Sequence, residues 1–186
     1  MEIASAMRII GGEWKGRTLK VDKSFSGRPT TDYAKEALFN VLQHQVEWDE
    51  VTLMWDLFAG TGAISIEALS RGVQKVISVD SSAKHARHLQ QVKRDFDATG
   101  MEVFMADVRT FLGRQAALPS LVFADPPYDL PWLKELPALI FEKNFNDLEL
   151  LIIEHGKDIK FEDSPYFWQA RSYGHVHFSF FKVENK

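Results

Sequence analysis

Two rhythms of apolar and polar residues divide the chain. Near the start, short apolar pieces at 7–10 and 17–21 are broken by Gly11-Gly12 and Gly16, which predicts a small hairpin or extended loop. Pro29-Thr30-Thr31 then reads as a helix start. Ala34, Leu38, Val41 and Leu42 follow at helical spacing and predict a helix over about 31–45 with one buried face. Beyond it, unbroken apolar runs at 53–57, 75–80, 103–106, 121–124 and 149–154 suit strands buried on both sides. Helix-length stretches at 61–71, 82–99, 108–113 and 132–143 separate them. That alternation predicts an α/β fold with a mostly parallel, doubly wound sheet and helices on both faces. The last segment changes rhythm: 167–172 and 175–183 alternate about Tyr173-Gly174, as an antiparallel hairpin added at the sheet edge does. The expected organisation is a basic N-terminal arm over 1–30 and an α/β domain over 31–186.

Composition narrows this only a little. A chain of 186 residues with 45% apolar and 26% charged content suits one globular domain. The absence of cysteine excludes a disulfide framework, a zinc knuckle and a thiol nucleophile, and fits a cytoplasmic protein. No run approaches the roughly 20 apolar residues that cross a bilayer, so no membrane association is expected, and the first six residues lack the pattern of a secretory signal.

Charge adds more. The net charge is −4, yet Arg8 to Lys35 holds seven basic residues against three acidic ones. This segment is the candidate phosphate-contacting arm of an otherwise acidic domain.

In a doubly wound sheet, ligands bind beyond the carboxyl ends of the strands, near the point where strand order reverses. The first buried run ends as Asp56-Leu57-Phe58-Ala59-Gly60-Thr61-Gly62, a tight turn that lets the backbone approach a nucleotide-like ligand. A dinucleotide fingerprint would place glycine or alanine where Ser65 stands, and Asp56 suits a cationic amino-acid-bearing ligand better than a pyrophosphate. On these residues alone, an S-adenosylmethionine loop and a dinucleotide loop are both open. Asp80, 18 residues after Gly62, is placed to accept ribose hydroxyls or to cap the next helix, a role that Ser81 or Ser82 can also fill. Asp107 is likewise a candidate for an adenine amine or for a cap. Asp56, Asp80, Asp107 and Asp125 thus form a series at four successive strand ends. No histidine stands at metal-ligand spacing from them, and no metal is expected.

The fourth run, Leu121-Val122-Phe123-Ala124, leads directly into Asp125-Pro126-Pro127-Tyr128. Two prolines fix the backbone and remove its amide donors, which leaves acceptors around the turn. An exocyclic amine on a base is a poor nucleophile because its lone pair is delocalised. Acceptors from the Asp125 carboxylate and the Pro126 carbonyl can hold its hydrogens and aim the lone pair at a methyl donor. Tyr128 can stack on the base. His155 reads as a loop histidine, and Trp132 follows the motif closely enough to line the same pocket.

These blocks together resemble a known family, the bacterial small-subunit (16S) ribosomal RNA guanine-N2 methyltransferases of the RsmD type. The resemblance runs from Met7 almost to the end. It is carried by Arg8-Ile9-Ile10-Gly11-Gly12, Lys15-Gly16-Arg17, Arg28-Pro29-Thr30-Thr31-Asp32, Lys35-Glu36-Ala37-Leu38-Phe39-Asn40, the glycine turn, Glu67-Ala68-Leu69-Ser70-Arg71-Gly72 and Asp125-Pro126-Pro127-Tyr128. It implies a Rossmann-like class I methyltransferase with a seven-stranded sheet, an antiparallel C-terminal hairpin and a short N-terminal β extension. It implies S-adenosylmethionine held at Asp56, Phe58, Ala59, Gly60, Gly62, Asp80, Ser81 and Asp107, and catalysis at Asp125, Pro126, Pro127 and Tyr128. RNA contacts are expected at Arg8, Lys15, Arg17, Arg28, Thr30 and Thr31. The implied substrate is 16S ribosomal RNA in the small subunit, with ribosomal proteins helping to define it and the enzyme a monomer. Ala124, smaller than the residue usual before the acid, is expected to widen the base pocket. The rivals are a DNA or RNA adenine-N6 methyltransferase, a dinucleotide-dependent oxidoreductase and a non-catalytic ribosome-assembly protein.

Overall fold

Seven buried or half-buried strands form one sheet, and their order in space is set by two switches in direction. A computed structural model of the chain describes residues 3–22, 32–114, 119–142 and 148–183. Strands β1 (Ile3–Arg8) and β2 (Thr18–Asp22) pair antiparallel as a separate hairpin. Helix α1 (Asp32–Leu42) follows, and then the alternating core: β3 (Met54–Leu57), α2 (Ala63–Arg71), β4 (Val76–Asp80), α3 (Ala83–Asp95), β5 (Met101–Met105), α4 (Val108–Arg114), β6 (Leu121–Ala124), α5 (Leu136–Phe141) and β7 (Leu150–His155). Strands β8 (Phe167–Tyr173) and β9 (Val176–Phe181) complete the sheet in the order β5-β4-β3-β6-β7-β9-β8. Pairings among β3 to β7 are parallel, whereas β9 runs antiparallel to both β7 and β8.

The expected fold class therefore stands, including the antiparallel hairpin at the sheet edge. Within that hairpin the second strand, β9, pairs with β7, and β8 lies outermost. Element boundaries also moved. The stretch expected as one helix over 132–143 is a short 3-10 turn at Leu133–Glu135 followed by α5, because Pro137 in the first turn of α5 cannot donate its amide to a continuing helix. Helix α3 stops at Asp95, and Asp97 beyond it takes a left-handed φ of 52° that turns the chain into β5.

Side-chain alternation gives the sheet two apolar faces. Trp55, Leu57, Val122, Leu151 and Ile153 pack on one side with Phe111, Leu136 and Ile140 of α4 and α5. Met54, Leu121, Phe123, Leu150, Ile152, Phe178 and Phe180 pack on the other with Ala34, Leu38 and Leu42 of α1 and Ile64 and Ala68 of α2. Ala124 belongs to the first of these cores and is fully buried. The small side chain expected to widen a base pocket thus stands within this core.

The N-terminal hairpin is part of this packing rather than a loose arm. Met7, Ile9, Leu19 and Val21 are buried against Ala59, Ala63, Ile66, Leu89 and Phe96. A fully buried carboxylate fixes its position. Glu67 of α2 accepts the amides of Ile10 at 2.9 Å and Gly11 at 2.8 Å, and Arg71 Nε at 3.0 Å. Lys35, equally buried, lies 3.4 Å from Glu67 and donates to the Arg8 carbonyl at 2.5 Å. Ser70 accepts the Trp14 amide and donates to the Gly11 carbonyl. Gly12 has φ +74°, and a Cβ there would fall 1.6 Å from the Ser70 carbonyl oxygen. Thus Arg8-Ile9-Ile10-Gly11-Gly12 and Glu67-Ala68-Leu69-Ser70-Arg71-Gly72 are the two halves of one contact.

Truncating Glu67 would leave the Lys35 ammonium buried without its carboxylate, a change that costs about 3–5 kcal/mol in comparable settings. We expect Glu67→Ala to lower the urea midpoint by an amount of that order, and to expose the 3–22 segment to proteolysis before the sheet unfolds.

Candidate active site

Strand order reverses between β3 and β6, whose neighbours lie on opposite sides, and the turns after these two strands meet there. The turn after β3 is the glycine loop. Gly60 and Gly62 take positive φ angles of 51° and 78°. A Cβ on Gly60 would meet only the Phe58 carbonyl at 3.8 Å, so the loop leaves open space on that side. Phe58 also has a left-handed φ, of 62°, a strained conformation for a residue with a side chain. Its ring lies 6.2 Å from that of Trp132, and Arg109 sits over the other ring at 4.6 Å, so Trp132 does border the site. Ala59 is anchored by its amide to the Val79 carbonyl.

Asp80, the last residue of β4, ties this loop to α3. Its Oδ2 accepts the Gly60 amide at 3.0 Å and faces His85 Nδ1 at 3.0 Å; its Oδ1 accepts the Ser82 amide at 2.8 Å. Ser82 is the N-cap of α3, accepting from the His85 amide, while Ser81 is exposed. The capping role and the loop-facing role thus fall to different residues. Asp107, two residues beyond β5, accepts the Thr110 amide at 3.1 Å and so caps α4 while remaining exposed.

Asp56 is placed differently from the other three acids. It is the penultimate residue of β3, 2% exposed, and accepts a short hydrogen bond from the Ser65 hydroxyl. Ser65 Oγ also lies 2.7 Å from Ser78 Oγ on β4. The residue that departs from a dinucleotide fingerprint is therefore a buried polar link between α2, β3 and β4. Burial pushes the Asp56 carboxyl up to about 7, against the lowering effect of the Ser65 hydrogen bonds.

Beyond β6, the Asp125 amide bonds the Leu57 carbonyl at 3.2 Å, which holds the acid beside the glycine loop. Pro126 is buried, Pro127 exposed. The Leu130 amide takes the Pro127 carbonyl, whereas no donor among the described residues bonds the Pro126 carbonyl. Tyr128 is 41% exposed and its hydroxyl donates at 3.2 Å to Glu154, a buried carboxylate near the end of β7. The ring lies so close to Gly156 that a Cβ there would come within 2.9 Å of it. Glu154 escaped the sequence reading because it closes an apolar run; a charge near the end of a buried strand was the available signal. His155 is buried, with Nε2 at 2.8 Å from Ser179 Oγ and Nδ1 at 2.9 Å from the Gly156 carbonyl, and desolvation lowers its pKa. Its role is structural.

Of the expected RNA contacts, Arg8 and Lys15 are exposed on the hairpin. Arg17 is exposed but engaged: it donates to the Asp95 carbonyl and lies over Phe96 at 4.4 Å. Lys35, counted with the basic arm, is buried and pairs with Glu67. Arg28, Thr30 and Thr31 lie outside the described residues. Among the described residues no cluster of side chains is arranged to hold a metal ion, and no helix is long and apolar enough to cross a membrane.

Known proteins resemble this chain in sequence and in fold. The family model described as conserved hypothetical protein 95 matches residues 7–182. The chain is 34% identical to ribosomal RNA small subunit methyltransferase D of Escherichia coli K12 over 146 residues, 78% of this chain and 72% of that protein. It is 34% identical to the Haemophilus influenzae protein of the same name over 157 residues, 82% of this chain and 80% of that one. The solved structure of Escherichia coli yhhF superposes with a TM-score of 0.81 at 27% identity, covering 98% of this chain and 100% of that one.

The Asp56 environment has a measurable consequence. Its folded pKa lies above the unfolded value of 3.8, so between that value and about 7 the folded state holds a proton that the unfolded chain releases. This group's contribution to stability must therefore fall as pH rises through that window and level off above it. Urea unfolding of wild type and Asp56→Asn from pH 4 to 8 should show the wild type losing stability relative to the variant up to about pH 7. A difference independent of pH would rule this out.

Proposed function

The chain belongs to the family described as conserved hypothetical protein 95, the RsmD type, and from that membership we propose that it methylates the exocyclic N2 of a guanine in 16S ribosomal RNA. The coarser part, methyl transfer to ribosomal RNA, is what its relatives' names describe. Support for the amine chemistry comes chiefly from one placement: Asp125 and the Pro126 carbonyl stand at the strand switch beside the glycine loop, with Tyr128 braced on Glu154.

The donor that fits is S-adenosylmethionine. The open side of Gly60, with the backbone of Phe58, Ala59 and Gly62, suits the amino-acid end of such a ligand. Asp80 with Ser81 would meet the ribose, and Asp107 the adenine amine. Asp56 would act from behind, by holding the loop through Ser65. When bound, the group supplies an electrophilic methyl on a sulfonium centre. The chain's own residues do the rest. Tyr128 stacks on the guanine, the Asp125 carboxylate and Pro126 carbonyl accept the two hydrogens of N2, and the nitrogen lone pair is turned toward the methyl. As the methyl passes to N2, its bond to sulfur would break and one N2 hydrogen leave as a proton to solvent. The Asp125 charge offsets the positive charge that grows on nitrogen meanwhile.

The exposed side chains of Arg8 and Lys15, with Arg28, Thr30 and Thr31 further along, are proposed to hold the RNA backbone. Arg17 joins them at the cost of its bond to Asp95. The substrate is proposed to be the assembled small subunit, bound by a monomer in the cytoplasm.

The deciding experiment incubates the protein with unmethylated small subunits and isotope-labelled S-adenosylmethionine, then digests the RNA and identifies the labelled nucleoside by mass spectrometry. N2-methylguanosine is expected, with Asp125→Ala lowering the rate by roughly 10²–10³-fold. N6-methyladenosine would indicate the adenine-directed alternative. Binding of subunits without any transfer would indicate an assembly factor. Arg8→Ala and Lys15→Ala should each reduce the slope of log affinity against log salt by about 1, read from RNA-binding titrations at several salt concentrations.

A further inference from the structure

One exposed aromatic side chain lies against a residue at the carboxyl end of the sheet, the end that also carries the Asp125 turn. Tyr33, in the first turn of α1, is 69% exposed. Its ring meets the edge of Tyr173, with centroids 6.5 Å apart and planes at 79°. Tyr173 in turn packs on Phe178, at 6.2 Å. Phe178 is the cross-strand partner of Glu154, and Glu154 accepts the Tyr128 hydroxyl. A short chain of contacts thus carries Tyr33 to the catalytic turn by way of residues on the same side of the sheet.

The direction is also right. β8 runs parallel to β7, since both are antiparallel to the β9 between them, so Tyr173 lies at the carboxyl end of the sheet with Asp125 and Tyr128. Arg171 stands two residues before Tyr173 on the outermost strand and is exposed, as is His175 in the turn. Two residues apart on a strand share a face, so a cation accompanies the aromatic pair.

We propose that Tyr33, backed by Tyr173, is a stacking ledge for a single-stranded nucleotide adjoining the target guanine. The proposal rests on the ribosomal-RNA methyltransferase reading above and adds a stacking contact to the charge contacts of the basic hairpin. A base lifted from its helix for modification leaves its neighbours unstacked, and a ring presented to solvent at the same end of the sheet offers them a partner. The two rings meet edge to face, so Tyr173 covers at most one face of Tyr33 and leaves the other open.

The test uses the full chain, small subunits or a synthetic RNA hairpin, and the variants Tyr33→Ala and Tyr33→Phe. Tyr33→Ala should raise KM for RNA roughly tenfold, in line with one lost stacking contact, and leave affinity for S-adenosylhomocysteine and the melting temperature unchanged. Tyr33→Phe should restore KM to within about twofold, because stacking needs the ring and not the hydroxyl. The salt dependence of RNA binding should keep its slope in both, which separates stacking from charge. An unaltered KM in Tyr33→Ala, or a Phe variant no better than Ala, overturns the ledge while leaving methyl transfer standing. Wild-type protein that neither methylates nor binds the RNA overturns the underlying reading instead.

Discussion

The Glu67 carboxylate is the point on which the arrangement of the molecule turns. It is fully buried, and four groups from three segments converge on it: two amides of the hairpin, the ammonium of α1 and the guanidinium of its own helix. A buried charge is tolerable only when it is fully paired, so none of the three segments can move far without stranding another. The hairpin so fixed packs on Ala59 and Ala63, on either side of the glycine turn, and Thr61 Oγ1 reaches Met7 Sδ at 3.8 Å. The surface proposed to hold RNA and the loop proposed to hold the methyl donor therefore share a wall.

The acids near the strand ends divide by the direction of their side chains. Asp80 and Asp107 accept backbone amides at the entrances to α3 and α4, so each helps shape the loop it belongs to. Asp56 faces inward and serves α2 through Ser65. Asp125 stands beside an acceptor carbonyl and an aromatic ring. One residue type near the ends of successive strands thus does different work, according to whether it stands within the strand or in the turn beyond it.

Much of this was legible in the sequence, and the failures have physical causes. Buried parallel strands read as unbroken apolar runs, so β3, β4, β6 and β7 appear almost where expected. The insertion of β9 beside β7 is a long-range pairing that local pattern does not carry. Side-chain parity would have foretold Asp56: it is two residues from Met54 and shares its face toward α2, not the face of Trp55 and Leu57. Lys35 stands three residues before Leu38 and seven before Leu42, on the buried stripe of α1, so its position argued against a solvent-facing role even as its charge argued for one. The Asp125 turn was plain because its chemistry is local. Glu154, which bonds Tyr128, and Tyr33, which packs on Tyr173, come from distant segments and appear only once the sheet is assembled.

The place of β9 has a consequence for synthesis. It is the last strand of the sheet in chain order, yet it lies inside the sheet, between β7 and β8. Until it emerges, β7 has a partner on one side only, and a strand of six wholly buried residues presents an open edge. A nascent chain stopped just before Val176 would carry the five paired strands β3 to β7, with β7 uncovered along one side. Closure of that edge is then a late step, and one the chain must reach before a neighbouring polypeptide pairs with it.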